Sequence, residues 1–143
     1  MTPAIVRHRP LDLKLRHTFR IARGASDERK NLLVEVEHEG RVGLGEAAPI
    51  LRYHEDRDSA ARAVDAMAAR LGDPRLFATA AGRSAEPGQH SAQAAVDMAL
   101  HDLAGKRLGA PLHALLGLDK AACPETSFTI GMDTPEVVVS KVK

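Results

Sequence analysis

The sequence holds a single cysteine, Cys123, no tryptophan, and only one tyrosine and three phenylalanines in 143 residues. One thiol excludes an internal disulfide framework and any cysteine-based metal site. Aromatic residues make up 3% of the chain within an apolar share of 44%. Alanine and short aliphatic side chains therefore do most of the packing, which favours closely approaching helices over large hydrophobic anchors. An excess of one charge is also missing. Twenty basic residues stand against nineteen acidic ones, a balance that points away from nucleic acid and polyanionic membranes. No apolar run approaches the length of a bilayer span and no signal-peptide pattern opens the chain, so the expected compartment is the cytoplasm. The length lies near the mode for one domain and allows a core of its own.

Three stretches of the N-terminal third alternate as strands do. Residues 4–15 place Leu11, Leu13 and Leu15 on one face and Asp12 and Lys14 on the other, with Pro10 fitting an edge strand or bulge. Leu32, Val34 and Val36 oppose Leu33, Glu35 and Glu37; Glu39-Gly40 then turns the chain, and Val42, Leu44 and Glu46 resume the alternation. The expectation is a three-stranded antiparallel sheet with one solvated face. Between the first two strands, residues 19–31 show neither period, and Gly24, Ala25, Ser26 and Asp27 read as a loop. A second irregular segment, residues 50–55, follows the sheet.

Helical patterns take over from Asp56. Asp56 or Asp58 can cap a helix running to Leu71, with Val64, Met67, Ala68 and Leu71 as its stripe and Gly72 and Pro74 as its stop. Residues 73–88 carry little period and allow at most a short helix over 75–81. A long helix begins near Ser91. Ala92, Val96, Ala99 and Leu103 recur at three and four, widened by Ala95 and Leu100, and Gly109 ends it after Lys106 and Arg107. Pro111 opens a short helix closed by Gly117. The tail differs: 123–131 reads as extended, and Thr134, Pro135 and Glu136 then start another helix. A strand followed by a nascent helix is how a βα repeat begins.

The stretch from Ala92, "AQAAVDMALHDLAGKRLGAPLHALLG", resembles the N-terminal signature of the mandelate racemase and muconate lactonizing branch of the enolase superfamily. Ala94, Ala95, Asp97, Ala99, Leu100, Asp102, Gly105, Lys106, Pro111, Leu112 and Leu115–Gly117 carry the likeness. His101 departs from the tryptophan common there, a loss of packing volume. "FRIARG" at 19–24, "VGLGEAAP" at 42–49 and "TSFTIG" at 126–131 are similar to dipeptide epimerases of that branch. The resemblance implies an α+β capping domain over residues 1–120, a three-stranded antiparallel sheet plus a helical bundle. Residues 121–143 would then begin a (β/α) barrel with its first strand and the start of its first helix.

It also implies chemistry carried by the barrel. Epimerising an amino acid α-carbon removes a weakly acidic proton, so a metal must stabilise the enediolate and a base is needed on each face. Related enzymes use two lysines, the first in a Lys-x-Lys motif, three acidic Mg2+ ligands, and an Asp-x-Asp motif for the substrate ammonium. The expectation is that no catalytic residue and no Mg2+ ligand lies in this segment. Lys141 and Lys143 mimic the lysine spacing, but fall one element too early, in a helix that points them apart.

The implied role of the segment is recognition: residues 19–31 and 50–55 match the two loops that close over the barrel mouth. Arg23 is a candidate bidentate donor to a substrate carboxylate, against the plain reading of a solvated arginine. Arg20 stands nearer the strand end, and Phe19 is core or substrate wall. Acidic-dipeptide epimerases can carry an arginine where this chain has Ser26, a departure that weakens an L-Ala-L-Glu specificity and leaves apolar or other dipeptides open. Tyr53 is a contact or a packing residue; neighbouring His54 reads as a surface histidine. On the barrel strand, Thr129 is the nearer to the C-terminal end where barrel sites gather, and Thr126 lies near the start. Three pairs read structurally: Asp97 with His101 lacks a third metal ligand, Asp102 with Lys106 is an i,i+4 pair, and Glu46, after a Gly-x-Gly turn, suits a cross-sheet hydrogen bond.

The expected partners are a dipeptide, the protein's own C-terminal barrel and, with no handle on number, copies of itself. A sibling activity, muconate cycloisomerase or o-succinylbenzoate synthase, is the first alternative. A small binding module complete as printed is the second.

Overall fold

The computed structural model describes residues 3–78, 80 and 85–142. Three antiparallel strands, β1 (Ile5–Ile21), β2 (Gly24–His38) and β3 (Arg41–Ala47), form one sheet in the order β1-β2-β3. Helices α1 (Arg57–Arg70) and α2 (His90–Leu108) follow, then a single turn α3 (Leu112–Leu115) and α4 (Pro135–Val142). This is the expected α+β arrangement. Leu32, Val34 and Val36 are buried beneath the helices, and each such side chain removed from water contributes about 2 kcal/mol.

On β3 the inward face belongs to small residues. The register sets Leu32 against Ala47, Val34 against Gly45 and Val36 against Gly43, so Gly43, Gly45 and Ala47 look toward α2. Leu44 points away and is 45% exposed. The apolar alternation expected from Val42, Leu44 and Glu46 is thus on the opposite face. Gly43 and Gly45 lie within the strand, not in a turn. The reason is proximity. A Cβ at Gly45 would stand 1.9 Å from the Ala95 carbonyl oxygen, and one at Gly43 would stand 2.0 Å from that of Ala99. Two strand residues advance about 6.6 Å and four helix residues about 6 Å, so Ala95 and Ala99 meet Gly45 and Gly43 in step.

The same closeness lets α2 cover the open edge of β3. Asp102 accepts the Leu44 N–H at 2.8 Å, and Lys106 donates to the Val42 carbonyl at 2.8 Å and to Asp102 at 2.7 Å. The i,i+4 pair therefore also satisfies backbone groups that an edge strand otherwise presents to other chains. The first strand is the other edge, which suits Pro10.

Helix ends follow the local chemistry. Asp56 accepts the Ser59 N–H at 2.7 Å and the Ser59 hydroxyl oxygen accepts the Asp56 N–H at 2.9 Å, a reciprocal cap. Gly109, at φ +63°, closes α2. Thr134 and Pro135 open α4 as expected, with the Val137 N–H reaching Thr134 Oγ1 at 3.5 Å. Between α1 and α2 a 3-10 turn spans Pro74–Leu76, and the rest of the helix expected over 75–81 lies partly outside the described residues.

Two expectations change. Residues 19–31 are not a loop: β1 runs to Ile21, Ala22 and Arg23 turn, and β2 starts at Gly24. This arm extends past the helices with both faces largely exposed, so no one-sided burial imprints an alternation on it. A break in register, Lys14 pairing Glu28 and then Phe19 pairing Ser26, sets off its end. Residues 123–131 are extended in expectation, with the barrel's first strand from Thr126, but they carry no ladder, since a strand exists only beside a neighbour and β1 and β3 do not take it up.

Replacing Gly45 with alanine is expected to lower unfolding free energy by about 3 kcal/mol, read by denaturant titration. An unchanged midpoint would contradict the close seating of α2.

Candidate functional site

Two segments converge beside the sheet. From β2 come Glu28–Asn31. From the stretch after β3 come Pro49–Arg52 and Glu55–Asp58. Together they line a cleft of about 620 Å3. The second segment contains a 3-10 turn, Leu51–Tyr53, closed by His54 at φ +59°. Its apolar side chains face outward: Leu51 is 77% and Tyr53 60% exposed.

Glu55 fastens this segment. Only 3% exposed, it receives the His90 N–H at 3.0 Å, the Ser91 N–H at 2.9 Å and the Ser91 hydroxyl. These donors open α2, whose preceding residue Gln89 provides no side-chain cap. Burial works against the Glu55 charge. The Ser91 hydroxyl, the Ser91 and His90 N–H groups and the charge of His90 outweigh it, and the carboxyl titrates below its ordinary range. Adjacent Asp56 caps α1, so two consecutive acids anchor two helix starts.

A second cavity of about 480 Å3 joins the arm to the tail, with Phe19, Thr18 and Arg29 on one side and Phe128, Thr129 and Gly131 on the other. The Arg29 guanidinium lies 5.9 Å from the Phe19 ring centre, within cation–π range. The Met132 N–H donates to the Arg20 carbonyl at 2.7 Å, and Arg20 borders a further cavity with Met132, Asp133 and Thr134.

The candidate residues thus separate into groups. Phe19 and Thr129 share one cavity, with Arg20 beside it. Arg23 sits in the arm's turn, exposed. Tyr53 lies in the other segment under the Arg52 guanidinium, 5.9 Å from its ring centre. Thr126 is exposed and lines none of these three cavities. Lys141 pairs with Asp133 at 3.1 Å; Lys143 lies outside the described residues. Glu46 accepts from Asn31 Nδ2 at 2.5 Å, the cross-sheet bond expected of it. His101 Nδ1 lies 2.9 Å from the Asp97 carbonyl oxygen and packs edge-on against Phe77. Glu55 and Arg29 were missed. A glutamate directly before a helix cap carries no periodic sign of burial, although a second acid beside Asp56 could have prompted a search for a second helix start.

Residues 4–117 match the mandelate racemase / muconate lactonizing enzyme N-terminal domain. The chain is 40% identical over 137 residues to the L-Ala-D/L-Glu epimerase of Bacteroides thetaiotaomicron, covering 94% of this chain and 36% of that protein. It is 35% identical over 143 residues to the hydrophobic dipeptide epimerase of Roseobacter litoralis, covering 96% and 40%. A solved dipeptide epimerase from Methylococcus capsulatus, complexed with Mg and the dipeptide L-Arg-D-Lys, superposes with a TM-score of 0.80 at 34% identity, covering 99% of this chain and 42% of that one. The chain therefore spans about two fifths of the length of these proteins.

Glu55→Gln is expected to cost about 2 kcal/mol of stability at neutral pH. Because the folded carboxyl titrates below the ordinary glutamate range, the stabilisation is complete above that range and is lost as pH falls through the lower folded value. Thermal melts of both proteins from pH 7 to 3 should converge on acidification. A gap that stays constant would contradict the ionised anchor.

Proposed function

The chain belongs to the mandelate racemase / muconate lactonizing enzyme family, whose N-terminal domain it carries over residues 4–117, and from that premise we propose that it is the capping part of a Mg2+-dependent dipeptide epimerase. Residues 121–143 then lead into the catalytic barrel, and the full enzyme inverts an α-carbon by removing its proton to give an enediolate. One observation carries the reading: residues 28–31, where the arm joins the sheet, and the segment that follows β3 flank one cleft. Recognition residues sit on such scaffolded segments. Similarity to dipeptide epimerases supports the reaction class.

Among the described residues no group of three or more His, Cys, Asp or Glu side chains is placed to hold a metal ion. The donor set present does not fit Mg2+; its ligands and the two basic side chains belong to the barrel. This segment's part is to close over a dipeptide and exclude water from it. Arg23 at the arm's turn, Arg20 and Phe19 before it, Tyr53 in the segment after β3 and Thr129 and Thr126 on the tail are the proposed contacts. Among the described residues no helix is long and apolar enough to cross a membrane; a cytoplasmic site of action remains part of the proposal.

The test is α-proton exchange in D2O followed by NMR, using the full-length chain with Mg2+ and acidic, apolar and basic dipeptides. Exchange on at least one class, abolished by a chelator, is expected, and none from residues 1–143 alone. Exchange by the segment alone at the full rate, or none by the full chain on any class, would contradict the reading. Within an active enzyme, Arg23→Ala is expected to raise KM about tenfold, the worth of one charge-assisted hydrogen bond. An unchanged KM would remove Arg23 from the contacts.

A further inference from the structure

The turn that presents Leu51 and Tyr53 has little packing of its own. Both side chains are more than half exposed, and within the turn the chain is closed by two backbone hydrogen bonds, Tyr53 N–H to the Ile50 carbonyl at 2.8 Å and His54 N–H to that of Leu51 at 2.9 Å. What fixes it to the domain is the residue after His54. The Glu55 carboxylate is buried and held by the first two residues of α2, and α2 is itself seated on the glycines of β3. Asp56 then ties the same backbone to α1. The position of Tyr53 is thus set from two residues away, by an ion held in backbone and hydroxyl donors. Glu55 also lines the cleft between the segment and β2, so losing its anchor would move one wall of that cleft.

We propose that Glu55 is a positioning residue for substrate binding: its buried carboxylate, bound to the start of α2, holds the Leu51–Tyr53 turn in place against the dipeptide. The proposal rests on the epimerase reading. It differs from a stabilising role in one respect. A residue that only stabilises the fold alters the melting temperature and leaves the affinity of the folded enzyme for substrate unchanged, whereas a positioning residue alters KM in molecules that are fully folded.

The experiment compares full-length wild type, Glu55→Gln, Ser91→Ala and Asp102→Ala. Asp102 caps the far edge of the sheet and touches neither the segment nor the cleft, so its variant reports destabilisation alone. Expected for Glu55→Gln is a KM raised about tenfold with kcat within about threefold, together with faster amide exchange at residues 51–54. Ser91→Ala, which keeps the charge and loses one donor, should raise KM about threefold; it supplies the answer if Glu55→Gln does not fold. Asp102→Ala should melt lower with KM unchanged. A Glu55→Gln enzyme that melts lower yet keeps the wild-type KM overturns the proposal. So does unchanged exchange at 51–54. Wild type inactive on every dipeptide would instead overturn the epimerase reading, and the exchange comparison would then decide the role of Glu55 alone.

Discussion

A methyl group at Gly45 would fall 1.9 Å from the Ala95 carbonyl oxygen, a separation no side chain tolerates, and the rest of the domain is arranged around that contact. Helix α2 rests backbone to backbone on β3 because the strand offers Gly43 and Gly45 where the helix offers Ala95 and Ala99. The core is then completed by Leu32, Val34 and Val36 below and Met67, Leu100 and Leu103 above. The sequence contains no tryptophan, and the contact between strand and helix is made by glycine and alanine.

From that seating three consequences follow along the chain. The flank of α2 comes near enough to the β3 edge for Asp102 and Lys106 to occupy it. The N-terminus of α2 is brought near enough to residue 55 for one carboxylate to replace a cap the helix lacks. The arm of β1 and β2, with few helix contacts of its own, projects from the rigid part as a two-stranded ribbon. Stiff support beneath exposed segments is how recognition residues are usually carried.

Much of this was legible in the residues. The alternation at Leu32–Glu37, the caps at Asp56 and Thr134 and the glycine at 109 announce elements that the structure contains. Nothing in the residues marks the arm as strand, because periodicity reports one-sided burial and a ribbon exposed on both faces has none. The inward face of β3 is hidden in the sequence for a related reason. A hydrophobicity pattern scores Val42 and Leu44 as inward and cannot see that glycine is demanded by a helix distant in sequence. Of the residues proposed as contacts, Phe19 and Thr129 line one cavity beside the tail and Arg20 borders another. Glu55 was not named, since its burial is a tertiary fact whose partners lie 35 and 36 positions away.

The division of labour between this domain and the barrel is the central claim, and a crystal structure of the full-length protein with Mg2+ and a dipeptide examines it most directly. Expected is a dipeptide touching the 19–31 arm and the 50–55 segment, with every protein ligand of the metal drawn from beyond residue 143. A metal ligand within residues 1–143, or a dipeptide seated against α2 and away from both arms, would contradict it.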